Sequence, residues 1–216
     1  MSRILFLLLT TLNVIAIEFE NSSYFTKNYL SDAQHIAKDV FVTENTIQYK
    51  INKLTPYLKY SQYQSLNTYR ESDFGLGSTY TLSDKWSIDV GSWYYYFYSQ
   101  SNNYFEPYTS ISYDCIIYPT LYVSYVSYNT QPRVIFSLDY TKNIITNLDL
   151  SIRSLIGTVD YGMGRYEYIG GGVKLEYMVN KHFCLFIGSE LYKPIGSKYN
   201  SFIDTFSYSS GFKLNF

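Results

Sequence analysis

From about residue 54 to the end of the chain, apolar and polar positions alternate with a period of two. That period places successive side chains on opposite faces of a β-strand. In 85–98, Trp86, Ile88, Val90, Tyr94 and Tyr96 share one parity, and Lys85, Ser87, Asp89, Gly91 and Trp93 share the other. The same sorting separates Val134, Phe136 and Leu138 from Arg133, Ser137 and Asp139. It separates Leu148, Leu150 and Ile152 from Asp149, Ser151 and Arg153. In 166–179, Ile169, Val173, Leu175 and Tyr177 oppose Gly170, Gly172, Lys174 and Glu176. Residues 183–192 and 206–216 follow the same rule.

A greasy face opposite a polar face suits either a soluble sandwich or a membrane barrel. Three features favour the barrel. The strands are long, whereas soluble strands average about 5–6 residues. Aromatic residues gather at strand ends, as interfacial girdles do. Tight connections (Leu82-Ser83-Asp84, Cys115 to Pro119, Val179 to His182) alternate with looser ones (Ser99 to Asn103, Thr158 to Arg165, Lys193 to Ser201). Short turns belong on the periplasmic side of such a barrel. The fold class is therefore all-β, a transmembrane antiparallel up-and-down barrel.

Ten strands fit between residues 54 and 216. Segments 17–28 and 45–52 add two, because parity switches between Ile47, Tyr49, Ile51 and Leu58, Tyr60, as a turn at Asn52-Lys53 requires. That makes twelve, with both termini periplasmic. The alternative is ten strands and an N-terminal extension. Ser31-Asp32-Ala33-Gln34 matches a capping box, which predicts a short helix over 32–38.

Residues 1–16, MSRILFLLLTTLNVIA, carry one basic residue, an apolar run from Ile4 to Leu12 and a terminal Ala16. This is the pattern of a secretory signal peptide, leaving 17–216 as the barrel. The apolar run is shorter than the roughly 20 residues that a bilayer helix needs.

Composition agrees. The 216 residues include 27 Tyr and 14 Phe, and charged residues are only 16%. A net charge of −1 supplies no basic field for nucleic acid. Two cysteines, Cys115 and Cys184, cannot build a disulfide framework or a zinc site. Their parities predict one thiol toward lipid and one inward, both free. No metal cluster, cofactor fingerprint or phosphate loop is present in the sequence.

The polar parity assigns an interior face to Lys59, Asp73, Asp89, Glu106, Arg133, Asp139, Asp149, Arg153, Lys174, Glu176, Glu190 and Lys213. These are candidate pore-lining residues for small polar solutes. Alternatively, they pair inside a filled barrel, since isolated buried charges are costly. Tyr57, Tyr63, Tyr95, Tyr122, Tyr168, Tyr192 and Trp93 share that face, as stacking surfaces or as fillers. No catalytic set can be assembled. His182 sits in a tight periplasmic turn, and His35 has no assignable Ser or acidic partner. Connections of 4–9 residues leave room for only a modest adhesive rim, the second alternative.

The chain ends with Tyr208, Phe212, Leu214 and Phe216 on one face. This resembles the C-terminal signal read by bacterial barrel-assembly machinery. Asp89-Val90-Gly91, Trp93 to Tyr96, Phe105-Glu106-Pro107-Tyr108, Ile111 to Asp114 and Pro119 to Tyr125 together resemble the TorF-type porin family of small outer-membrane barrels. Ser22 to Asn28 is similar to that family's opening strand, with Thr26-Lys27-Asn28 in place of its Phe-Arg-Gly. The resemblance implies a barrel in a bacterial outer membrane, contact with outer-membrane lipid and a porin's role. It implies no catalytic residue.

Overall fold

The computed structural model describes residues 17–31, 34–66, 69–98, 103–127, 132–160, 165–195 and 205–216. The signal-like segment 1–16 lies outside them. Twelve strands run in order: β1 (Ile17–Ser31), β2 (Gln34–Tyr49), β3 (Leu54–Ser65), β4 (Arg70–Thr81), β5 (Trp86–Phe97), β6 (Tyr104–Tyr113), β7 (Pro119–Ser124), β8 (Arg133–Ile145), β9 (Leu148–Asp160), β10 (Arg165–Asn180), β11 (Phe183–Ile195) and β12 (Thr205–Asn215). Each pairs with its chain neighbours, and β1 closes the cylinder on β12. Closure satisfies every ladder and leaves no edge, as a hydrocarbon environment demands. At the seam, Phe19 N donates to Phe216 O at 2.9 Å and Phe216 N to Phe19 O at 2.8 Å.

The connections 50–53, 82–85, 114–118, 146–147 and 181–182 lie at the end that holds Ile17 and Phe216. Asn52 (φ 55°) and Asn147 (φ 68°) take the left-handed conformation there, which Asn tolerates better than most residues. In the turn at 181–182, Asn180 Oδ1 accepts from His182 N and Phe183 N at 2.8 and 3.0 Å. The opposite end holds the last residues of β1, β3, β5, β7, β9 and β11 and the first of β2, β4, β6, β8, β10 and β12.

The N-terminal hairpin departs from one expectation. Residues 34–38 are strand, not helix: β2 pairs with β1 from Ser31↔Gln34 through Ile17↔Tyr49. A capping box stabilises one helix end by about 1 kcal/mol, whereas the ladder satisfies a whole strand. Asp39 takes a left-handed conformation (φ 53°) within β2, Ala37 and Val40 on either side of it are both buried, and the β1–β2 register shifts once, between Tyr29 and Leu30. This second strand begins eleven residues before the predicted Asn45.

The apolar parity faces outward. Leu76 is 60% exposed, Ile187 58% and Leu58 57%, and comparably exposed Leu, Ile, Val and Phe residues occur on most strands. Water would not tolerate so continuous an apolar belt, so it is a lipid-facing surface. Cys184 faces inward and is buried. Cys115 lies exposed in the turn 114–118, not in the wall toward lipid, and both thiols are free.

Candidate functional site: the barrel interior

Interior-facing glycines carry much of the packing. Gly75, Gly77, Gly91, Gly157, Gly170 and Gly211 are each directly paired to Trp93, Tyr57, Tyr108, Tyr168, Tyr192 and Tyr24, respectively. At each of the six, a Cβ would strike the neighbouring aromatic side chain. The missing side chain lets a large ring lie along the wall, closing the glycine's backbone from solvent. Of the Tyr and Trp residues expected on this face, Tyr57, Trp93, Tyr168 and Tyr192 are therefore held as wall packing. Tyr57 and Tyr108 also meet through their hydroxyls.

Filling is uneven. Toward the end away from Ile17 and Phe216, Ala37, Val40, Val42 and Tyr63 form a buried cluster with Tyr24, Tyr29 and Tyr69. Tyr29 and Tyr63 stand 4.6 Å apart, and Tyr95 stacks on Tyr104 at 4.4 Å. Val159 and Tyr168 form a second cluster with Leu155 and Tyr192. Glu71 and Asp73 lie within this layer, 3% and 4% exposed, with the Tyr69 hydroxyl donating to Glu71.

Below this layer the interior is open and lined by polar side chains. One cavity of about 560 Å³ is lined by Ser137, Asp139, Thr141, Ser151, Arg153 and neighbours on β10–β12. A second of about 310 Å³ is lined by Glu20, Ser22, Glu44, Lys213 and their neighbours. Lys174, Glu176, Ser189, Glu190 and Ser209 line both, so the two adjoin.

All twelve charged residues assigned to the polar parity occupy the interior register. Lys59, Asp73, Asp89 and Glu106 stand on β3–β6, and Arg133, Asp139, Asp149 and Arg153 on β8 and β9. Lys174, Glu176, Glu190 and Lys213 stand on β10–β12. The structure brings several together. Arg153 Nε lies 2.6 Å from Asp139 Oδ1, and Arg133 3.2 Å from Glu106, whose side chain is 1% exposed. Lys174 pairs with Glu176 at 3.2 Å. Lys59 Nζ sits 4.7 Å above the Tyr57 ring, and the Tyr57 hydroxyl donates to Asp89 at 2.8 Å. Asp149 instead accepts from Asn143 Nδ2 at 2.9 Å.

Four interior acids escaped the sequence reading. Glu18 accepts from Gln48 Nε2 at 2.7 Å. Glu20 pairs with Lys213 at 2.7 Å, and Glu44 accepts from Ser22 and Tyr24. Glu71 shares the parity of Asp73. Parity alone would have found Glu71. On β1 and β2 the outer row includes Asn21, Ser23 and Asn45, so the alternation there is too weak to separate the faces. His182 meets the Asn215 carbonyl at 2.7 Å and stacks on Phe216. His35 falls on β2, opposite Leu30.

A closed twelve-stranded antiparallel cylinder, apolar outside and charged within, is a bacterial outer-membrane β-barrel. No family model matches the chain, and the search of curated proteins finds no match. Among solved structures it is similar to the NanC porin, at 13% identity and TM-score 0.59, covering 92% of this chain and 99% of that one. It is similar also to the KdgM porin in complex with disordered oligogalacturonate, at 12% identity and TM-score 0.61, with 92% and 99% covered. The outer membrane phospholipase A of Escherichia coli is a further neighbour, at 13% identity and TM-score 0.52, with 91% and 89% covered. At these identities the likeness is one of fold, which small porins and a phospholipase share.

Proposed function

We propose that this barrel is a narrow outer-membrane channel for small polar solutes. The carrying observation is the pair of adjoining polar cavities between β8 and β2, lined by serines and paired charges. Twelve strands lie between small barrels filled by side chains and the sixteen or more strands of open porins. A constricted path along the polar side is consistent with that size. The porin fold of NanC and KdgM and the resemblance to TorF-type porins support the same reading. In this reading Lys59, Asp73, Asp89, Glu106, Arg133, Asp139, Asp149, Arg153, Lys174, Glu176 and Glu190 line the path or brace its wall. Planar-bilayer recording on the refolded barrel tests it. Stepwise current is expected; a folded barrel that passes none is a structural or adhesive protein.

The same reading gives residues 1–16 an export role and has the assembly machinery read Tyr208, Phe212, Leu214 and Phe216. All four belong to the outward parity of the last strand, and Phe216 is 65% exposed. Phe216→Ser is expected to lower the amount of barrel in cellular membranes while leaving refolding into detergent intact. Equal loss in both settings would reduce the residue to a packing role.

A further inference from the structure

We infer that the channel selects cations, a conclusion that rests on the channel reading above. With Glu18, Glu20, Glu44 and Glu71 added to the interior face, eleven acids there meet five bases among the described strand residues. Every one of those bases is occupied. Arg133, Arg153, Lys174 and Lys213 each hold a carboxylate within 3.2 Å, and Lys59 lies over Tyr57. The surplus is therefore acidic.

Its placement matters more than its number. Glu44 on β2 and Glu190 on β11 both line the smaller cavity, and Glu190 reaches the larger one as well. Neither forms an ion pair among the described residues, and Asp149 on β9 forms none. A solute crossing the polar half passes between two walls that each present a carboxylate without an ion-pair partner among the described residues. Leaving out Glu71 and Asp73, packed among the tyrosines, the remaining acids still outnumber the bases.

The physical cause is field focusing. In a narrow conduit with low-dielectric walls, fixed charges of one sign raise the local concentration of the opposite ion. Acidic rings select cations by this means in other channels. The paired bases contribute little because each field is cancelled by its partner a few ångströms away.

The test is the reversal potential of the refolded barrel in a planar bilayer under a potassium chloride gradient. A potential of cationic sign is expected in the unaltered protein, so the answer does not depend on any variant folding. E44Q with E190Q should move it toward zero, and Lys142→Gln on the lipid face should not. A current of anionic sign, or no selectivity, overturns this inference and leaves the channel intact. Absence of current from folded protein overturns both.

Discussion

The Tyr168 ring lies over Gly157, its directly paired neighbour across β9 and β10, so closely that a Cβ on residue 157 would overlap its Cζ, Cε1 and Oη atoms. Tyr168 is 1% exposed and has no free space into which to withdraw. Gly157→Ala should therefore destabilise the barrel by about 1–3 kcal/mol, the usual cost of overpacking. At Gly188 the nearest atoms to an added Cβ stand at 3.3–3.6 Å. Gly188→Ala should accordingly be neutral or raise stability by up to about 1 kcal/mol, since glycine is a poor strand residue. Urea unfolding in lipid vesicles measures both; equal losses would show that ring packing is not what distinguishes the two sites.

Arg133 and Arg153 should behave differently when truncated. Arg133→Ala leaves the Glu106 carboxylate buried without its cation, which should cost about 3–5 kcal/mol of stability. Arg153 is more than half exposed to the cavity, so Arg153→Ala should cost no more than about 1 kcal/mol while changing ion selectivity. Unfolding midpoints and reversal potentials on both variants separate the effects. A stable Arg133→Ala barrel would show that Glu106 finds another donor.

The two faces should differ sharply in tolerance to charge. Ile187→Arg puts a guanidinium into the belt near the middle of β11 and should cost about 2–4 kcal/mol in a bilayer. Ser209→Lys places its charge in the polar interior beside Glu176 and Glu190 and should be tolerated. Folding yields into vesicles check this. Equal tolerance at both positions would contradict a lipid-facing outer row.

The two thiols report orientation. Cys115 in its exposed turn should react with a membrane-impermeant maleimide from the side that holds Ile17 and Phe216. Buried Cys184 should react only after unfolding. Mass spectrometry with and without denaturant reads this directly. Labelling of Cys115 from the opposite side of sealed vesicles of known orientation would invert the topology.

Much of this protein is legible without coordinates because inside and outside of a strand are a local property. Val134, Phe136 and Leu138 have to share a face, and Arg133 and Asp139 have to share the other, whatever the barrel's shape. The twelve interior charges and the lipid belt follow from that parity. What it cannot reach is anything that depends on register or closure. Asp139 meets Arg153 because the turn at Asn147 and the irregularity near Asn143 set the β8–β9 register. Ser31 to Gln34 reads as a helix cap until its hairpin ladder is formed. Glu20 meets Lys213 only because the first and last strands, nearly two hundred residues apart, close on each other. Side-chain parity was thus settled by the sequence, through the two-residue repeat of the extended backbone. Which acids keep a cation and which are left bare was decided by the tertiary structure, because those distances exist only once the cylinder is shut.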